Sequence, residues 1–189
     1  MNEKTEEHYT AKMLEELRLL VQRLQADKIR LFNRRVSVGD LLTDRHQNAR
    51  EYGWGEGTTC YDNVLVLGDV KVGDHTWIGP NVILDGRGKL EIGSYCSISA
   101  GVHIYTHHTV RWSLSSGQIP MEKAPTKIGS SVYIGPNSVV SKGVTVGDGV
   151  VIGALSFVNC DIPSGMKAFG RPARIVGAAT DGCDEPVTL

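Results

Sequence analysis

Residues 128–158 read IGSSVY IGPNSV VSKGVT VGDGVV IGALSF V, with Ile128, Ile134, Val140, Val146, Ile152 and Val158 each six positions apart. The same spacing links Val66, Val72, Ile78 and Leu84, and again Ile92, Ile98, Ile104 and Val110. Four positions after most of these stands a small or β-branched residue: Val70, Thr76, Val82, Cys96, Val102, Val132, Ser138, Val144, Val150 and Ser156. Gly commonly follows the aliphatic residue, as in Val72-Gly73-Asp74 and Ile134-Gly135-Pro136. A period of six fits neither an amphipathic helix nor a simple alternating strand; it does fit a unit of one short strand and one tight turn. Such hexapeptide periods mark parallel β-helices, in which each strand buries its face on the equivalent strand of the next coil. Three units make a coil of about 18 residues with a triangular section. A Gly- and Val-rich β-sandwich is the plainer alternative, but its strand spacing would drift.

Composition agrees with a mainly β solenoid carrying an appendage. The 189 residues are 41% hydrophobic and only 6% aromatic, so the core is aliphatic. A net charge of -1 gives no global electrostatic case for nucleic acid or an anionic membrane. No apolar stretch reaches the roughly 18 residues of a membrane span, and the Met1 to Lys4 start lacks a signal-peptide core. A cytoplasmic location is expected. Cys60, Cys96, Cys160 and Cys183 form no CxxC pair, and Cys60 and Cys96 fall in inward repeat slots as small apolar fillers.

The chain divides into an N-terminal helical segment (1–34), a connector and coil cap (35–59), the β-helix (60–177) and a C-terminal tail (178–189). From about Thr5 to Phe32 the sequence reads as helix, with Leu14, Leu17, Val21, Leu24 and Leu31 on one stripe interrupted by Lys28. That stripe needs a partner, either the side of a β-helix or the same helix of another subunit. The β-helix is favoured because the segment is short for an independent coiled coil. The connector has no periodicity, and Trp54 reads as a plug over the first coil, whose open end would otherwise expose strand edges.

The repeat breaks twice. Leu84 and Ile92 are eight apart rather than six, so Asp85-Gly86-Arg87-Gly88-Lys89 should bulge from a coil corner. A longer break over residues 111–127 predicts a projecting loop, and loops of that length in compact repeats are commonly functional. Just before it lies Tyr105-Thr106-His107-His108. If the repeat from Ile104 stays regular, His108 points inward and His107 outward, into a groove.

These features resemble the hexapeptide-repeat acyltransferases with a left-handed parallel β-helix, most closely the sugar O-acetyltransferase branch. The resemblance covers about residues 60–177, and its best match at the C-terminal end is Gly170-Arg171-Pro172-Ala173-Arg174-Ile175-Val176-Gly177. It implies an acetyl-CoA-dependent enzyme, a homotrimer with sites at subunit clefts, a loop that shapes a neighbour's site, and a histidine general base at the loop's start. His107 is the favoured base and His108 the second candidate, although His108 stands where relatives often carry Asp or Pro. A neutral imidazole, with a pKa of ~6.5, can take a proton from an alcohol as it attacks a thioester. Acceptor contacts are expected from Asn81, Asp85, Tyr105, Trp112 and Tyr133, the last standing where several relatives carry Trp. The long, anionic coenzyme calls for small residues and cations: Gly135, Ser141, Gly153, Ala154 and Ser156 for the former, and Lys142, Arg171 and Arg174 for the latter. Val158-Asn159-Cys160-Asp161 departs from a commoner Val-Thr-Lys-Asp and lacks its cation.

The reading is therefore acetyl transfer to a hydroxyl of a sugar or nucleotide-sugar acceptor, with N-acetylation of an amino sugar as the alternative. A metal-dependent enzyme resembling γ-class carbonic anhydrase would need His75, His103, His107 and His108 to converge on zinc, and the coil spacing does not align three of them. No metal is expected. A non-catalytic β-helix scaffold is the remaining class.

Overall fold

The computed structural model describes residues 3–180. They belong to two compact units, with the boundary between Asp44 and Arg45 inside the stretch read as connector. In the first unit, α1 runs Glu3–Phe32 and a short α2 runs Val38–Leu42. Gln25 ties the turn between them, donating to the Arg34 carbonyl and accepting from the Val36 amide. Ser37 caps α2 by accepting from the Asp40 amide. Ion pairs Lys12–Glu16, Glu15–Arg18 and Asp27–Arg30 line the polar side of α1, while the stripe residues Leu14, Leu17 and Leu31 are exposed.

The second unit opens with α3 (Arg45–Glu51), a helix that lack of periodicity had hidden, and then becomes the coil. Three faces repeat in order. The first stacks Thr59–Cys60, Trp77–Ile78, Ser97–Ile98, Tyr133–Ile134, Val151–Ile152 and Met166–Gly170. The second stacks the starts of Leu65–Val72 and Ile83–Ile92 with His103–Ile104, Val139–Val140 and Phe157–Val158. The third stacks the ends of those two long strands with Thr126–Ile128 and Thr145–Val146. All these pairings are parallel, which makes the unit a parallel β-helix as the six-residue repeat predicts.

Both inward slots fill the core. Ile78, Leu84, Ile98, Ile104, Ile134 and Ile152 are buried with Val82, Val102, Val132 and Val150 across from them. Where the second slot is polar, it serves the turns. Thr58, Thr76 and Ser138 donate to the carbonyls of Gly73, Gly93 and Gly153 and accept the amides of Thr76, Cys96 and Ser156. A hydroxyl is thus tolerated in an apolar core because both of its roles are used. Burial pushes the thiols of Cys60 and Cys96 up, consistent with inert fillers; Cys183 lies outside the described residues. Trp54 closes the first coil, stacked on Tyr52 with its indole N–H on the Val70 carbonyl. No described helix is long and apolar enough to cross a membrane.

Ile134 has no exposed surface, so Ile134→Ala should cost about 2–5 kcal/mol of stability. The outward Thr145→Ala should stay within about 0.5 kcal/mol. Denaturant titration of the two variants checks the inward register.

Candidate active site

The two breaks in the repeat stack on one another at a single corner, between the second and third faces. Regular coils pair residues 18 apart, as Tyr133 with Val151. The coil that contains Asp85 takes two residues more, pairing Trp77 with Ser97. The next takes eighteen more, pairing Ser97 with Tyr133. The smaller insertion is a bulge within the continuous strand Ile83–Ile92. Gly68 faces Gly86 and Val70 faces Leu90, which leaves Arg87, Gly88 and Lys89 opposite Asp69 alone. Bulges re-aim side chains, and this one turns Arg87 toward the loop.

The base of the loop is fastened to that bulge. Asp85 is fully buried; its Oδ2 accepts from the Thr106 amide at 2.9 Å and lies 2.5 Å from His107 Nδ1. Its Oδ1 accepts from the Arg87 amide. The Thr106 hydroxyl donates to the Asp85 carbonyl and accepts the Gly88 amide, both at 2.7 Å. Gly88 is required there, since a Cβ would lie 2.5 Å from the Thr106 carbonyl oxygen. Burial alone pushes the Asp85 carboxyl up, but the hydrogen bonds from His107, Thr106 and Arg87 together outweigh it and hold the carboxyl below its ordinary range.

On the other side of the imidazole, Arg87 Nη1 lies 3.2 Å from His107 Nε2. A guanidinium can only donate, so this contact requires a lone pair on Nε2. The proton is then on Nδ1, pointing at Asp85. This is the tautomer a general base needs, fixed from both sides. The His107 side chain is 14% exposed, so the ring is held and still reachable.

Regularity ends earlier than the repeat implies. Thr106, not His108, takes the inward place and is fully buried. The chain then turns out into an antiparallel pairing of His107–His108 with Glu122–Lys123. His108 is therefore not a core residue; its Nδ1 lies 3.3 Å from a Glu122 carboxylate oxygen, without hydrogen-bond alignment. Val110 likewise leaves the repeat and begins α4 (Val110–Leu114), exposed. At the far end, Thr126 is already inside the coil, its hydroxyl on the Tyr105 carbonyl. The segment that leaves the coil thus runs 107–125 rather than 111–127.

Other expected site residues fare differently. Asp85 cannot line an acceptor groove because it is buried and its oxygens are occupied; it is the orienting partner of His107 instead. Asn81 sits at a different corner with φ +57, its side chain paired with Asn63, a conformation Asn tolerates. Tyr105 is half-buried beside His103, its hydroxyl 3.3 Å from Nδ1. Trp112 is exposed on α4, and Tyr133 projects from the first face. Ser156 is buried, donating to the Gly153 carbonyl, so it is no groove residue. Gly135 and Gly153 owe their small size to coil stacking, since a Cβ on each would meet Ala154 N at 2.5 Å and Phe169 Cβ at 2.7 Å. Ser141 is half-buried and Ala154 exposed. Lys142, Arg171 and Arg174 have no acidic partner among the described residues, and Arg171 Nε donates to the Leu155 carbonyl. A surface groove of 460 Å³ on another edge, between Glu91, Lys127, Thr145, Asp148 and Ser164, contains none of the expected residues.

Among the described residues no three His, Cys, Asp or Glu side chains form a metal-binding group. Arg87 was missed by sequence reasoning; the bulge was the available signal, but its direction was not.

Residues 125–160 match the bacterial transferase hexapeptide family, described as six repeats. Galactoside O-acetyltransferase of Escherichia coli K12 is 35% identical over 121 residues, 63% of this chain and 50% of that protein. The chain thus spans half the length of that relative. WcaF of Escherichia coli K12, named as a colanic acid biosynthesis acetyltransferase, is 30% identical over 128 residues, 64% of this chain and 69% of its own. A hexapeptide-repeat acetyltransferase of Vibrio cholerae O1 biovar eltor, solved with acetyl-coenzyme A, has 27% identity and a TM-score of 0.64 over 89% of this chain and 90% of its own. Sharing the coil of these proteins along most of its length, the chain belongs to the hexapeptide-repeat acetyltransferase family.

Proposed function

We propose that the protein transfers an acetyl group from acetyl-coenzyme A directly to a hydroxyl of a sugar or sugar-containing acceptor, with His107 as the general base. The observation that carries this reading is the Asp85–His107 pair, with Nε2 left as a lone pair at the base of the inserted loop. Nε2 takes the proton of the acceptor hydroxyl as its oxygen attacks the thioester carbonyl. The tetrahedral species collapses with cleavage of the carbon–sulfur bond, and the imidazolium returns the proton to the departing thiolate. Asp85, ionised and buried, stabilises the imidazolium between those two steps. Lys142, Arg171 and Arg174 suit the phosphates of the coenzyme as cations without acidic partners among the described residues.

The same reading includes a homotrimer. Along the second face the outward residues are Leu65, Ile83, His103, Val139 and Phe157, a mostly apolar column of which Leu65 and Phe157 are well exposed. Contiguous apolar surface of this kind favours burial against another chain. A second copy of the coil offers a matching straight face.

His107→Ala should lower acetyl transfer, read as coenzyme A thiol release, by about 10²–10⁴-fold; wild-type turnover in this variant would overturn the assignment. Asp85→Asn should lose about 100-fold or more, because an amide can hold the ring with its proton on Nε2. Phe157→Asp should run as a smaller species by light scattering, and a variant that keeps the wild-type mass would remove the second face from the interface.

A further inference from the structure

The transfer chemistry gives Arg87 no contact with the acceptor, yet the bulge aims it at His107 Nε2. Its guanidinium is part-exposed, and its acidic neighbour is Asp85 at 3.9 Å. That carboxylate is already engaged by the Thr106 amide, His107 and the Arg87 amide. What remains for the guanidinium is one contact to a neutral imidazole nitrogen. A planar fork of donors is matched far better by the two oxygens of a carboxylate or phosphate.

A second cation stands across the hairpin from His107. Lys123 is the cross-strand partner of His107, so the two side chains share one face of the hairpin. Lys123 is exposed and makes no ion pair among the described residues. The loop's carboxylate, Glu122, is paired instead with Arg111 at 3.7 Å. The mouth of the site thus carries two positive groups: Arg87, whose one acidic neighbour is already engaged by other donors, and Lys123, which has no ion pair among the described residues.

An acceptor hydroxyl that reaches Nε2 must take the place of Arg87 Nη1. The displaced guanidinium then lies within a hydrogen bond's length, about 3 Å, of the reacting oxygen. A neutral sugar offers the guanidinium fork no matching pair of oxygens, whereas a carboxylate or phosphate next to the reacting hydroxyl does. We propose that Arg87, assisted by Lys123, makes the enzyme selective for acceptors that carry a carboxylate or phosphate beside the acetylated hydroxyl. This inference rests on the acetyl-transfer reading and narrows its substrate class to acidic sugars.

Calorimetric titration of the full chain with methyl galacturonoside, galactose 6-phosphate and methyl galactoside tests it without turnover. The wild type should bind one of the two anionic sugars at least about tenfold more tightly than the neutral one, and the tighter of the two identifies the anion. Arg87→Gln should bring the ratio to within about twofold. Arg87→Lys should keep part of it, because charge remains while the fork is lost. Lys123→Gln, at an exposed position, should reduce the ratio and gives a reading even if the Arg87 variants fold poorly. Equal binding of all three sugars by the wild type, or an undiminished ratio in Arg87→Gln, would overturn the proposal. So would a loss of coenzyme A affinity in Arg87→Gln as large as its loss for the anionic sugar. Absence of thiol release with every sugar would instead count against acetyl transfer, and the binding ratios would still decide the role of Arg87.

Discussion

A parallel coil pairs no two strands of its own. Each short strand must find its hydrogen-bond partners one coil away, and the structure meets that demand level by level: Trp77 to Cys96, Ser97 to Val132 and Tyr133 to Val150, each amide to carbonyl at 2.9 Å. Everything else is subject to this pairing. An inserted segment has to leave and re-enter at one height, or it strips partners from the coil above. The loop complies, since Tyr105 before it bonds to Val140 and Lys127 after it bonds to Val144. An insertion of any length is therefore tolerated provided its two ends are held together.

Asp85 is the group that holds the entry to this insertion in place. At the corner where strand pairing lapses, its carboxylate takes the Thr106 amide in place of a backbone carbonyl. A buried carboxylate is costly unless it is well supplied with donors, and here three donors converge on it. One of the three is the imidazole of His107. The contact that closes the coil at the loop and the contact that fixes the histidine tautomer thus share one carboxylate. Stability of the corner and orientation of the imidazole are coupled through it.

The coil was legible from the sequence because its core is one-dimensional: the same two slots recur at every level, so each unit repeats the evidence of the last. Ile134, Val140 and Ile152 are buried where the period of six puts them. The same logic failed at the loop, where His108 and Val110 were counted as if the coil continued. Nothing in the local pattern announces that Thr106, two residues past Ile104, would be the last inward side chain, because the deciding partner, Asp85, comes from the coil before. For the same reason Asp85 read as a surface acceptor contact and Arg87 drew no attention. Each owes its position to a register slip between strands, and a slip is a property of two segments rather than one. α3 escaped notice because its seven residues are too few to show a period.

Repetition also explains why the candidate chemistry gathers at this corner. In a uniform solenoid an outward position on one coil has nearly the same surroundings as the position above it, so no level offers a unique arrangement of groups. Asymmetry has to come from insertions, and a single insertion adds side chains without anything opposite to hold them. Here two insertions of different length fall on the same corner in successive coils. The shorter supplies Arg87 and the Gly88 that lets it sit close, and the longer supplies His107 and, on the returning strand, Lys123. Each insertion braces the other through Asp85 and Thr106, so the groups that would meet a substrate are carried on segments ordered by one another rather than by the repeat.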